Sequence, residues 1–226
     1  MDQPSGPPVY RLAKKLLSRP LGHAYDIEVH GISSVPEGPV ILAANHRSFM
    51  DSVFLALVVD RPVSFLAKAE YFERQATSWI FRSTGQIPLR RGSAAGARKA
   101  LDAACGVLSG GGVVGVYPEG SRSRDGLLHR GHLGPARLAS ASGAPIVPVG
   151  LLGTDKVQAP GQRLPRVGKR VAIRFGAPLH LAPLQLNSPN ANLNPCLREV
   201  TDRMMSDIAA LCGQEYIDRF AELVQT

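Results

Sequence analysis

The stretch VILAANHRSFMD, Val40 to Asp51, decides how the chain is read. Val40 to Ala44 are apolar without interruption, the signature of a strand covered on both faces rather than one with a wet side. The run leads directly into Asn45 and His46, and from Ser52 to Val59 the pattern becomes helical. His46 therefore stands at a strand-to-helix junction.

Toward the N-terminus, Tyr25 to Gly31 alternates apolar and polar residues at Tyr25, Ile27 and Val29, as a half-buried strand does. The turn Pro36-Glu37-Gly38-Pro39 follows, so this strand forms a hairpin or joins the sheet another way. Before it, Val9, Leu12, Ala13, Leu16 and Leu17 share one helical face while Arg11, Lys14 and Lys15 lie elsewhere, and Pro20 is expected to end the helix. Residues 1–24 are thus a basic amphipathic segment, either a terminal helix packed on the core or a membrane foot. Residues 25–226 form the main domain.

Toward the C-terminus the alternation continues. Strands are expected at Val63 to Ala67, Gln86 to Leu89, Val113 to Tyr117 and Ile146 to Leu151, and helices at Tyr71 to Phe81, Ala94 to Leu108 and Leu133 to Ser142. Val167 to Phe175 carries Lys169, Arg170 and Arg174 on one side and reads as an edge strand with a charged face in solvent. Ala177 to Pro195 reads as a surface loop, and Leu197 to Val224 as a helical tail with a break at Gly213. The prediction is a single α/β domain with a mixed, mostly parallel central sheet covered by helices. No internal repeat is visible.

Composition narrows the function. With 226 residues, 44% hydrophobic and 19% charged, the chain can bury one sizeable core. A net charge of +8 favours anionic partners, whether nucleic acid, phosphate-bearing metabolites or an acidic lipid surface. Aromatic residues make up only 6% and none alternate with the basic runs, which speaks against nucleic acid. The longest apolar run, Val53 to Val59, is far short of the ~20 residues a membrane-spanning helix needs. The first twenty residues hold no secretory h-region. Cys105, Cys196 and Cys212 are far apart and match no zinc spacing, so a reducing compartment and no metal are expected.

NHRSFMD places an imidazole and a carboxylate five positions apart. On a regular helix that is about 500° of rotation, so the two cannot share a helical face. His46 must precede the helix and turn its ring back toward Asp51 in the first turn. The carboxylate would then fix the tautomer and leave the other ring nitrogen free to take a proton from a hydroxyl. Such a spacing arises by chance in roughly a quarter of chains of this composition, and His23 and Glu28 share it within a strand-like region, where they read as structural. Two further segments raise the signal. VYPEGSRSRDG, Val116 to Gly126, follows a buried strand and offers Glu119, the amides around Gly120 and Ser121, and the Arg122 guanidinium. GQIPLRRG, Gly85 to Gly92, brings Arg90 and Arg91 to another strand end. Strand ends that deliver amides and arginines to one sheet edge suit a phosphate.

NHRSFMD, GQIPLRRG, VYPEGSRS and APIVPVG, in this order, resemble the four blocks of the glycerolipid acyltransferase family that includes the 1-acylglycerol-3-phosphate acyltransferases. The resemblance covers roughly residues 40–153. It implies His46 as general base with Asp51 orienting it, and Arg91, Glu119, Gly120, Ser121 and Arg122 shaping the glycerophosphate site. It also implies Pro148 on the acyl-donor side, no cofactor, and acyl-CoA or acyl-carrier protein as co-substrate. Pro88 and Arg90 depart from the family's usual second block, and Ser121 stands where threonine is commoner.

The expected acceptor is a lysophospholipid. Such amphiphiles require a peripheral protein on the cytoplasmic face of the membrane, bound to anionic lipid through the N-terminal helix and the strand from Lys169 to Arg174. Acyl-carrier protein is a candidate partner and nucleic acid is not. Three rivals stand beside this reading. The acceptor could be glycerol 3-phosphate, a lyso-aminolipid or another lysophospholipid; Ser121 or Ser123 could serve a serine hydrolase, although neither sits in a Gly-x-Ser-x-Gly elbow; or the chain could bind anionic membrane without catalysis.

Overall fold

A computed structural model describes residues 7–181 and 195–221. In chain order the elements are α1 (Pro8–Ala24), β1 (Tyr25–His30), a 3-10 turn (Ile32–Ser34), β2 (Val40–Ala44), α2 (Met50–Val58) and β3 (Val63–Lys68). Then come α3 (Glu70–Glu73), α4 (Gln75–Ser83), β4 (Ile87–Leu89), α5 (Ala94–Ser109), β5 (Val113–Val116) and β6 (Leu128–His129). The chain continues with α6 (Gly134–Ser142), β7 (Ile146–Leu152), α7 (Thr154–Val157), β8 (Lys169–Phe175), α8 (Pro195–Cys212) and β9 (Tyr216–Ile217).

Seven strands form one sheet in the order β1-β8-β7-β2-β5-β3-β4, and β6 pairs with β9 in a small second sheet. Every neighbour in the large sheet is parallel except β7 and β8. The expected mixed, mostly parallel α/β sheet is borne out. Its central strand, β2, shows why the apolar run is unbroken: Val40, Leu42 and Ala44 enter a core beneath α2, whereas Ile41 and Ala43 enter the opposite core with Ala104 of α5 and Met204 of α8. With both faces covered, no position on β2 can be polar without losing its water.

Four local expectations are corrected. Pro20 does not end the first helix, which runs through it to Ala24; Leu21 and Ala24 pack on the core and hold the last turn despite the missing donor. Tyr71 to Phe81 is not one helix, because Arg74 is extended (ψ 126°) between α3 and α4. The break lets the Tyr71 and Phe81 rings stack at 5.0 Å, whereas ten helical residues would separate them by roughly 15 Å. β8 is not an edge strand, since β1 covers its outer side in parallel register and makes no hairpin. Arg170 consequently bonds Glu28 of β1, and Arg174 donates to Leu211 O at 3.2 Å, which occupies two of the three cations expected to face solvent freely. Finally, the tail helix does break at Gly213, which takes φ +70°, but no helix resumes among the described residues after it, and the chain pairs instead as β9 beside β6. Residues 182–194, most of the expected loop, and 222–226 lie outside the described residues.

α1 packs against the domain rather than standing apart. The Tyr10 hydroxyl accepts from Val63 N at 3.2 Å and lies 3.4 Å from Ala56 O, and Lys14 Nζ donates to Val59 O. Its outer face exposes Leu12, Leu16 and Leu17.

α8 lies close on β7 at Gly150, where an added Cβ would come within 2.6 Å of the Leu211 backbone. Gly150→Ala is expected to destabilise the fold by about 1–3 kcal/mol, read as a lower urea midpoint. An unchanged midpoint would mean that α8 is not pressed on the sheet there.

Candidate active site

The parallel strands β2, β5, β3 and β4 share one direction, so their carboxyl ends open on one edge of the sheet, the usual place for a ligand crevice in such folds. β2 ends in Asn45, which is fully buried and clamps β7: Asn45 Nδ2 donates to Leu151 O at 2.9 Å, and Leu151 N donates to Asn45 Oδ1 at 2.7 Å. His46 follows as the chain leaves the sheet. Its Nδ1 lies 2.8 Å from Asp51 Oδ2, and the amides of Arg47 and Ser48 donate to that same oxygen, each at 2.8 Å. Asp51 is fully buried in the first turn of α2, where a carboxylate also meets the positive end of the helix dipole. One oxygen thus closes the loop and orients the ring. Arg47 turns away, pairing with Asp155 at 3.0 Å.

Glu119, in the loop after β5, ties that loop to His46. Its Oε1 accepts from His46 N at 3.0 Å and its Oε2 from His129 N at 3.1 Å, with the side chain fully buried. Burial pushes its pKa up to about 7, against the pull of these two amides. Ser123 N completes the joint by donating to His46 O at 2.7 Å. Gly120, at φ +74°, turns the loop sharply, and any side chain there would meet the His132 ring at 3.1 Å.

A cleft of about 1380 Å³ opens at this edge. His46, Gly120, Ser121, Arg122 and Arg91 all line it together with further cations such as Arg130, Arg137 and Arg198, and Val53 and Leu57 of α2, Phe65 of β3 and Leu101 of α5 are among its apolar residues. Desolvation lowers the Arg91 pKa; Glu70 and Tyr71 oppose that shift, and the nearby positive charge of Arg122 adds to it. The two strand ends therefore do bring their arginines to one place. Such a cavity exceeds the roughly 300–1,000 Å³ of single-ligand pockets and joins a cationic end to an apolar one.

A family model, Acyltransferase, matches residues 26–152. The chain belongs to the Acyltransferase family. Among similar proteins, a chloroplastic 1-acyl-sn-glycerol-3-phosphate acyltransferase of Arabidopsis thaliana is 30% identical over 139 residues, 61% of this chain and 39% of the relative. A lyso-ornithine lipid O-acyltransferase of Pseudomonas aeruginosa is 29% identical over 66% of this chain and 58% of its own length. The chain therefore spans about two fifths of the plant relative. The crystal structure of the 1-acyl-sn-glycerophosphate acyltransferase PlsC from Thermotoga maritima is similar with a TM-score of 0.65 and 25% identity, over 89% of this chain and 80% of that one.

Within this Acyltransferase domain, three of the expected site residues lie off the cleft wall: Asp51 is buried behind the His46 ring, and Glu119 and Pro148 lie elsewhere. Glu119 reaches the cleft only through the backbone of His46 and His129. Pro148 sits inside β7 opposite Ala43, its carbonyl accepting from Gly176 N at 2.9 Å, and it does not line the cleft. The serine hydrolase reading loses its geometry as well. Ser123 Oγ donates to Asp125 at 3.1 Å, and the Ser121 hydroxyl bonds no histidine among the described residues. Asn45 is not singled out by the sequence, since its clamp on β7 depends on Leu151, far along the chain.

Folding raises the Glu119 pKa from 4.5 to about 7, so the folded chain holds this proton more tightly than the unfolded one. Its contribution to stability is fully present below pH 4.5 and is lost as pH rises through about 7. Wild-type protein is expected to lose on the order of 3 kcal/mol across that window relative to Glu119→Gln, which cannot titrate. Urea midpoints at several pH values measure this, and a flat difference would contradict it.

Proposed function

We propose that the chain is an O-acyltransferase that moves a fatty acyl group from a thioester, acyl-CoA or acyl-carrier protein, to the free hydroxyl of 1-acylglycerol 3-phosphate. The observation that carries this reading is the 2.8 Å His46–Asp51 contact at the wall of a cleft that joins Arg91 and Arg122 to an apolar groove. A base, a phosphate grip and room for acyl chains are what the reaction requires.

With Nδ1–H donated to Asp51, the Nε2 lone pair of His46 takes the proton of the acceptor hydroxyl as its oxygen attacks the thioester carbonyl. The tetrahedral oxyanion then collapses, the C–S bond breaks, and the proton on Nε2 passes to the departing thiolate. The enzyme returns to its starting state without a covalent acyl intermediate. Arg91 and Arg122 hold the acceptor's phosphate and so place its hydroxyl at the imidazole, while the apolar walls take the chains. Asp51 keeps the tautomer correct and stabilises the imidazolium that forms in passing.

The substrates are amphiphiles, and no helix among the described residues is long and apolar enough to cross a membrane. In this reading the protein meets the bilayer peripherally, on its cytoplasmic side, through exposed apolar side chains. Leu12 and Leu16 on α1, 58% and 63% exposed, form the inserting face, and Trp79 on α4, 66% exposed, adds to it. Leu17 of α1 and Ile80 of α4 line the cleft, so the same helices that would touch lipid flank the route into the site.

A lyso-aminolipid acceptor is the second reading, favoured by the likeness to the lyso-ornithine lipid acyltransferase. An acceptor without phosphate would offer the two guanidinium groups a single carboxylate at most, with one negative charge in place of nearly two. A panel of lyso-acceptors with a labelled acyl thioester separates the two, with turnover expected on 1-acylglycerol 3-phosphate. His46→Ala should reduce that turnover by about 10²- to 10⁴-fold while leaving fold and lipid binding intact. A pure membrane binder would be unaffected by this change. Leu12→Ser with Leu16→Ser should weaken sedimentation with anionic liposomes several-fold, and unchanged sedimentation would remove α1 as the membrane face.

A further inference from the structure

We propose that Tyr117 is a positioning residue for the reaction: its ring is the platform against which the His46 imidazole is held flat, and it favours the imidazolium formed during turnover. The inference rests on His46 acting as the base.

Two rings in contact can adopt many angles, and here the geometry is specific. The His46 and Tyr117 ring centroids are 3.8 Å apart with planes 11° from parallel. Phe65 lies parallel to Tyr117 at 5.9 Å and 9°, so the phenol ring cannot tilt far from the imidazole. The Tyr117 hydroxyl lies 2.7 Å from Ser52 Oγ, and its carbonyl accepts from Gly120 N at 3.0 Å. Ser52 is the neighbour of Asp51 on α2. One turn of one helix therefore fixes the imidazole twice, Asp51 at the ring edge and Ser52 through the tyrosine at the ring face.

The two contacts act differently. A carboxylate at Nδ1 fixes the tautomer and one axis, and the ring could still rotate about that hydrogen bond. The stack removes this rotation and sets the direction of the Nε2 lone pair. The electron-rich face of a phenol also attracts a cation more than a neutral ring, so the contact strengthens when the imidazole gains its proton. Burial raises the Tyr117 pKa well above its ordinary value and the charge of Asp51 adds to this, which keeps the phenol neutral and unable to compete as an acid. Other charged groups around the imidazole are Asp51 at Nδ1, Glu119 at the His46 amide and Arg122 on the same cleft wall; Arg47 is paired with Asp155.

The test compares Tyr117→Leu with Tyr117→Phe in the acyl-transfer assay. Leucine fills much of the space without a π face, so kcat should fall roughly tenfold with the acceptor KM unchanged. The acidic limb of the kcat/KM profile should move down by about half a pH unit as the imidazolium loses its support. Tyr117→Phe keeps the face and should retain activity within about threefold with the limb in place. A Tyr117→Leu protein with wild-type kcat and an unmoved limb overturns the proposal. His46→Ala in the same assay tests the underlying reading separately: full activity there removes His46 as the base, whereas an inactive His46→Ala beside a normal Tyr117→Leu removes only the platform. If Tyr117→Leu does not fold, the wild-type proton spectrum still decides. The His46 ring resonance, identified by its absence in His46→Ala, should lie upfield of free histidine through the tyrosine ring current, and a free-histidine position overturns the proposal.

Discussion

A single carboxylate oxygen, Asp51 Oδ2, organises the site. A buried carboxylate is costly unless its charge is met by donors, and here three converge on one oxygen: the His46 imidazole and the amides of Arg47 and Ser48. The same bonds that make the charge tolerable fold residues 46–50 into a fixed turn between β2 and α2. Orienting the ring is therefore not an addition to the fold. Without that turn, neither the end of the central strand nor the start of the helix would be closed.

A second buried carboxylate does comparable work one strand away. Glu119 joins the turn at His46 to the loop after β5 and to β6, using both of its oxygens on backbone amides. Its burial raises its pKa, so this joint carries a stability cost as it ionises. Sheet topology explains why both carboxylates can meet. β2 and β5 are parallel neighbours, so the loops leaving their carboxyl ends stand side by side, and β4 brings Arg91 to the same edge through β3. The cleft that results joins a cationic end to an apolar groove along α1, α2 and α5.

Much of this was legible in the sequence, for identifiable reasons. Strands covered on both faces write themselves as unbroken apolar runs, which exposed β2, β5 and β7. The pairing of His46 with Asp51 is local, so spacing and helix geometry sufficed to place it. What escaped depends on distant partners. Nothing near Lys169 to Arg174 reveals that β1 covers β8, because that register is set by residues more than 140 positions earlier. Tyr117 resembles the last residue of a buried strand until the His46 and Phe65 rings are seen stacked on it. Glu119 stands in a motif rich in polar residues that looks made for a ligand, yet its carboxylate is spent on backbone amides. At Pro20 a local rule, that proline stops helices, is outweighed by the packing of Leu21 and Ala24.

The proposed reaction depends on one proton, which in the resting protein should sit on Nδ1 of His46, shared with Asp51, leaving Nε2 bare. Nitrogen-15 NMR of protein labelled in its histidine rings, recorded above the pH at which the imidazole titrates, reads this directly. His46 should show a protonated Nδ1 and an unprotonated Nε2. A resting tautomer with the proton on Nε2 would leave no base facing the cleft and would contradict the proposed reaction.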